Sequence, residues 1–198
     1  RLDKKFVNCI ARLGNSRSKR VSSWDWTGAN RDFISIPFGE KVILAELKGA
    51  GCINHVYFTQ ICPDRHYLRK LLLRMYWDGE KDPSVEVPFG DFFGLGHCRI
   101  RLYTSLLVTV NQGAFSYGFN TYFPMPFSDG ARIELVNEGE EAVPMLWYHI
   151  DYEGYNLLEG DFGRFHAQWR RQNPCVASEI PEGIQPFQAE HPNDENNY

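Results

Sequence analysis

The sequence predicts an all-β fold, an antiparallel jelly-roll β-sandwich. Three observations point there. Apolar residues recur with period two along most of the chain, the spacing of a strand with one dry face. The segments that carry them are separated by turn residues rather than by helix caps. Aromatic residues make up 15% of the 198 residues, an excess that suits pleated, half-buried surfaces.

In chain order, strands are expected at Lys41–Leu47, Cys52–Thr59, Leu68–Trp77, Ser105–Val110, Phe115–Phe123, Ala131–Val136 and Met145–Tyr152. That many strands within about 120 residues make a sandwich the natural architecture. Leu68–Trp77 places Leu71, Leu73, Met75 and Trp77 on one side, joined by Arg69 at one end, against Lys70, Leu72 and Arg74 on the other. A helix is the alternative there, although Tyr76-Trp77 running into Asp78-Gly79 reads as a strand entering a turn. Ala131–Val136 is cleaner: Ala131, Ile133 and Leu135 point one way, Arg132 and Glu134 the other. Asp78-Gly79-Glu80, Asp129-Gly130 and Asn137-Glu138-Gly139 read as hairpin tips, because these residues tolerate positive φ or form local turns. Pro124 and Pro126 cannot donate to a ladder and are expected at a strand end or an edge. The resulting division is an N-terminal segment with a pocket loop over 1–32, the sandwich over 33–172, and a Pro-, Glu- and Asn-rich connector over 173–198.

Bulk properties exclude several function classes. With 43% hydrophobic and 23% charged residues the chain is globular rather than disordered. A net charge of −4 and scattered basic residues give no footprint for a nucleic-acid backbone, and Arg17, Lys19 and Arg20 read as a solvated loop. No apolar run is long enough to span a bilayer, and no charged-then-apolar leader is present, so no membrane partner is expected and the compartment stays open between cytoplasmic and exported. Cys9, Cys52, Cys62, Cys98 and Cys175 are odd in number and lack Cys-x-x-Cys spacing. That argues against a zinc ribbon, a redox motif or a disulfide framework, leaving most of them reduced and buried, with no metal or cofactor expected.

Four segments carry groups that could do chemistry. Ser22 to Asp32 packs Trp24, Asp25, Trp26, Asn30 and Asp32 into a short stretch. Asp and Asn suit sugar hydroxyls and Trp suits the C–H face of a sugar ring; the plainer reading is an ordered loop in which Asp25 and Asn30 cap turns. Val87 to His97 encloses Asp91 among Phe89, Phe92, Phe93 and His97, with glycines that allow close approach; the plainer reading is a sandwich corner. Asn120 to Phe127 reads as core and edge. His149, Asp151 and Glu153 alternate along one strand face, a spacing that suits a metal, proton transfer or merely a wet sandwich surface. Farther on, His166 and Arg170 suit an anionic or polyhydroxylated partner, or a strand edge. Serine-nucleophile elbows, P-loops and dinucleotide fingerprints do not occur.

Seven segments, taken in order, resemble the start of glycoside hydrolase family 172, formerly domain of unknown function 2961. They are Arg20 to Gly28, the Gly49 to His55 turn, Tyr76 to Gly79, Pro88 to Gly94, Phe123 to Phe127, Ile150 to Tyr152 and Phe165 to Ala167. The resemblance implies a furanosidase acting on fructofuranosides or arabinofuranosides, built from two jelly rolls per subunit and assembled as a homo-oligomer, a trimer or hexamer. It also implies a catalytic glutamate pair in Gly-Glu-Gly-Asp and Gly-Thr-Gly-x-Glu-Asp-Tyr segments, and neither segment occurs in this sequence. No catalytic residue is therefore expected in this chain, which corresponds to the first jelly roll and is inactive without the downstream half. The substrate-binding residues implied are Trp24, Asp25, Asn30, Asp32 and Asp91, with a furanoside oligosaccharide or polysaccharide as the carbohydrate partner. Trp26 and Arg31 depart from the Arg and Asp more usual in the family, which bears on sugar preference. Competing readings are a non-catalytic carbohydrate-binding module, an assembly protein, and an enzyme built on His149, Asp151 and Glu153.

Overall fold

The computed structural model describes residues 15–113 and 116–174. Its strands are, in chain order, β1 (Arg17–Ser22), β2 (Ile34–Ile36), β3 (Lys41–Lys48), β4 (Gly51–Ile61), β5 (Leu71–Trp77), β6 (Val85–Pro88) and β7 (Tyr103–Thr104). They continue with β8 (Val108–Gln112), β9 (Tyr117–Thr121), β10 (Met125–Phe127), β11 (Gly130–Asn137), β12 (Val143–Gly154) and β13 (Ala167–Gln168). One sheet runs β1-β12-β4-β9-β8-β7, with β10 added to β4 and β2 to β12; the other runs β13-β6-β5-β11-β3. The expected all-β sandwich is what forms. Its pairings are antiparallel except β13 on β6, which is parallel. No helix among the described residues is long and apolar enough to cross a membrane.

Period-two alternation fills the space between the sheets. On β5, Leu71, Leu73, Met75 and Trp77 are fully buried, and β11 contributes Ala131, Ile133 and Leu135 beside them. The larger sheet answers with Val56 and Phe58 of β4, Phe119 of β9, and Leu146 and Ile150 of β12. Phe89, Phe92 and Phe93, which follow β6, belong to this core: Phe89 lies 5.4 Å from Phe58 and 4.9 Å from Phe119, centroid to centroid. The aromatic residues around Asp91 are thus a hydrophobic plug, held close by Gly90, where an added Cβ would sit 2.8 Å from that of Leu68.

Several sequence-based expectations are corrected. Arg17, Lys19 and Arg20 are not loop but β1, a strand whose ladder partner among the described residues is β12. Tyr67–Lys70 forms a single helical turn before β5, so Leu68 and Arg69 precede the strand rather than belong to it. Ser105 closes a turn by accepting the Val108 N–H at 2.9 Å, which delays β8 to Val108. Asp129-Gly130 and Asn137 to Gly139 are corners between the sheets, not hairpin tips, because β10 and β12 lie in one sheet and β11 in the other. Asp78 and Gly79, both at positive φ, do turn a hairpin from β5 to β6. Pro126 lies in β10, which among the described residues pairs on one side only, with β4, as its missing donor requires. Cys52, Cys62 and Cys98 are free thiols but half-buried rather than buried, and burial raises the pKa of Cys52 and Cys62. Cys9, Cys175, Phe115 and the connector from 175 onward lie outside the described residues.

Candidate functional site

The loop that links β1 to β2 is braced by its own backbone. Asp25 Oδ1 accepts the Thr27 N–H at 2.9 Å and the Thr27 hydroxyl at 2.6 Å, while Oδ2 accepts the Arg31 N–H at 3.0 Å. The Thr27 hydroxyl first, then the Arg31 and Thr27 amides, hold this carboxyl below the usual carboxylate range. Asp32 Oδ1 accepts the Asp25 N–H at 2.7 Å. Gly28 and Asn30 supply the left-handed positions, at φ 75° and 61°. Ser23 ties the loop to β12: its hydroxyl donates to the Asp32 carbonyl at 2.8 Å and accepts the Tyr148 N–H at 3.1 Å. The bracing leaves the two indoles in solvent, Trp24 66% and Trp26 80% exposed.

Strand register builds the adjoining surface. On the outer face of β12, His149 stands opposite Ser22 of β1 and Tyr57 of β4, and Asp151 opposite Arg20 and His55. Asp151 accepts two hydrogen bonds from Arg20, from Nε at 2.5 Å and Nη2 at 3.0 Å, and its Oδ2 lies 2.9 Å from His55 Nδ1. Burial pushes this carboxyl up, but the Arg20 and His55 contacts outweigh it and hold it below its ordinary value. His55 Nε2 continues to Asn120 Oδ1 at 3.1 Å, and the His55 ring stacks on Tyr122 at 4.7 Å and 11°. His149 is depressed by burial and then by the Arg20 charge, which keeps its imidazole neutral at pH 7. Glu153 hydrogen-bonds Tyr155 at 2.5 Å. Among the described residues no group of three His, Cys, Asp or Glu could hold a metal ion.

Loop and strands meet in an open depression of ≈ 640 Å³ lined by Trp24, Asp32, Ser22, Arg20, Trp147 and His149. Phe33 supports the Trp147 ring from 5.5 Å. The structure therefore gathers Trp24, Asp25, Asn30 and Asp32 into one loop, with Trp24 and Asp32 on the depression. Asp91 belongs to neither loop nor depression. It follows β6 of the other sheet and pairs with Arg69, Oδ2 to Nε at 3.0 Å, while the same guanidinium sits 4.9 Å from the Trp169 ring. Burial raises the Asp91 pKa against the opposing charge of Arg69. His166 and Arg170 flank β13 and are exposed.

Arg20, His55 and Trp147 were not singled out by reading the sequence for site chemistry, and Asn120 opened a segment read as core and edge. Arg20 and His55 lie 131 and 96 residues from Asp151, a separation no local pattern reports. The signal nearest to them was the alternation of His149 and Asp151, which does mark the strand around which the face is assembled.

A family model described as GH172 domain-like matches residues 29–146, more than half of the chain. No curated protein matches it.

Proposed function

The chain belongs to the GH172 domain-like family, and from that premise we propose that it is the sugar-binding first jelly roll of a glycoside hydrolase acting on fructofuranosides or arabinofuranosides. The observation that carries the proposal is the depression with an indole on the loop side, Trp24, and another on the strand side, Trp147, which Asp32, Arg20 and His149 also line. Apolar rings flanking a few convergent polar groups are what a polyhydroxylated ring requires: stacking for its C–H face, charged acceptors and donors for its hydroxyls.

The proposed role is binding rather than bond cleavage. A retaining glycosidase needs a nucleophile and an acid/base carboxyl about 5–5.5 Å apart, and the acid must hold its proton near neutral pH. Asp25 and Asp151 are both held below the ordinary carboxylate range by donors already in place, so neither keeps a proton to give. Asp91 is shifted upward but is committed to Arg69 on the other sheet. Cleavage in this proposal falls to the glutamate pair implied by the resemblance, whose two segments do not occur in this sequence, and the subunits assemble as a homo-oligomer, which sedimentation of the full chain tests.

Titration calorimetry of the full chain with fructofuranosyl and arabinofuranosyl oligosaccharides tests the site. Binding is expected, and Trp24→Ala is expected to weaken it about fivefold through the loss of one stacking contact while leaving thermal stability unchanged, since the ring is largely in solvent. Absence of heat with either sugar series, or Trp24→Ala binding as tightly as the parent, removes the proposal.

A further inference from the structure

The depression does not end at β12. A second hollow of ≈ 470 Å³ lies across β4, β9 and β8, lined by Tyr57, Thr59, Ile61, Asn111 and Gly118, and it shares Trp147 and His149 with the first. The two are one trough that crosses β1, β12, β4, β9 and β8. Five strands have four spacings of about 4.8 Å, so the trough is roughly 19 Å long, more than one sugar ring fills.

The second hollow is built differently from the first. Tyr57 lies 5.3 Å from the His149 ring, and Ile61 is 42% exposed at the same end of β4. Gly118 makes the floor: a Cβ there would sit 2.5 Å from Asn111 Oδ1 and 3.2 Å from the Tyr57 ring. Any side chain at 118 would thus displace both the ring and the amide that lie across it. Asn111 is kept in place by Asn120 Nδ2, which donates to Asn111 Oδ1 at 3.4 Å, and Asn111 itself is exposed. An aromatic platform, one amide and the Thr59 hydroxyl repeat on the far side of Trp147 the chemistry of rings and polar groups found near Trp24.

We infer that the trough is a two-subsite cleft for a furanoside oligosaccharide: one sugar unit lies between Trp24 and Trp147, and the next lies beyond Trp147, against Tyr57 and Asn111 where they close over Gly118. The inference rests on the sugar site proposed above and adds the length of its ligand. Trp147, on the strand common to both halves, is the ridge between the units. The second subsite selects chains over single sugars, because a monosaccharide occupies only one half of the trough.

Calorimetry with methyl fructofuranoside and methyl arabinofuranoside, which are locked in the furanose ring, and with furanosyl oligosaccharides of two to four units tests this on the full chain. Affinity is expected to rise at least tenfold from one unit to two and to change little from two to four. Tyr57→Ala and the exposed variant Asn111→Ala should each remove most of that gain while leaving monosaccharide binding intact, whereas Trp24→Ala weakens every member of the series. Equal affinity for one and two units overturns the second subsite but leaves the first in place. So does a Tyr57→Ala or Asn111→Ala variant that retains the gain. Loss of binding to all sugars by the parent chain instead overturns the site itself, and the second subsite with it.

Discussion

Asp151 is the most heavily committed side chain on the outer face. It accepts both nitrogens of Arg20 on one side and meets His55 on the other, so each of its oxygens serves a cation or a ring nitrogen. Because the folded carboxyl titrates below its unfolded value of about 4, its stabilising contribution is complete at neutral pH and is lost as pH falls through the folded value. Asp151→Asn is expected to cost about 1 kcal/mol at pH 7, a figure kept small by partial solvent access. Urea denaturation should show the gap between parent and variant closing as the pH drops below about 4. Asp25 behaves differently despite its own depressed pKa, because its donors come from its own loop. The readable part of this chemistry was local. That Asp25 would cap a turn follows from Thr27 and Arg31, two and six residues on, whereas the Asp151 contacts depend on register between strands distant in sequence.

Among the elements, β12 organises the site, since it pairs with β1, β4 and β2. Its alternation was legible because Tyr148, Ile150 and Leu146 bury while Trp147, His149 and Asp151 do not. β1 was not, because Arg17, Lys19 and Arg20 resemble a charged loop until a partner strand exists to give them a face. β2, β10 and β13 were missed for a simpler reason: runs of two or three residues carry no period. The loop between β1 and β2 hangs on Ser23, whose hydroxyl serves the Asp32 carbonyl and the Tyr148 N–H at once. Ser23→Ala leaves a buried β12 amide without its side-chain acceptor, and a loss of 1 to 2 kcal/mol, roughly, is expected in chemical denaturation. Hydrogen exchange should show the Tyr148 and Asp25 amides losing protection together. Gly51 sets a second limit on β4, where a Cβ would lie 2.5 Å from the Phe127 ring and 2.7 Å from the Glu153 carbonyl. Gly51→Ala is expected to lower stability by about 1–3 kcal/mol and, by shifting β10, to lower the melting temperature without touching the Trp24 loop.

At the scale of the molecule, the two sheets are joined by one apolar core, in which Phe58, Phe89, Phe93 and Phe119 form a ring cluster. Phe119→Ala is expected to cost about 3–5 kcal/mol, measured by denaturant titration, and to loosen the floor beneath Gly118. The sandwich itself was visible in the alternation, but the sheet in which each strand would lie was not. Asp129-Gly130 and Asn137 to Gly139 look like hairpin turns in sequence and act as corners between sheets, because local turn chemistry does not encode which partner the next strand will find. The pairing of β1 with β12 has a consequence in time. Arg17 meets Gly154 and Ser22 meets His149, so the first strand of the described chain waits for one of the last. During synthesis the ribosome must release the whole of β12 before β1 has an edge to join. In the smaller sheet β3, β5, β6 and β11 all precede β12 and can assemble earlier, whereas β13 follows it. The outer face shared by β1 and β12 thus forms only after residue 154 is made, and a nascent chain arrested earlier would carry a core in progress without that face.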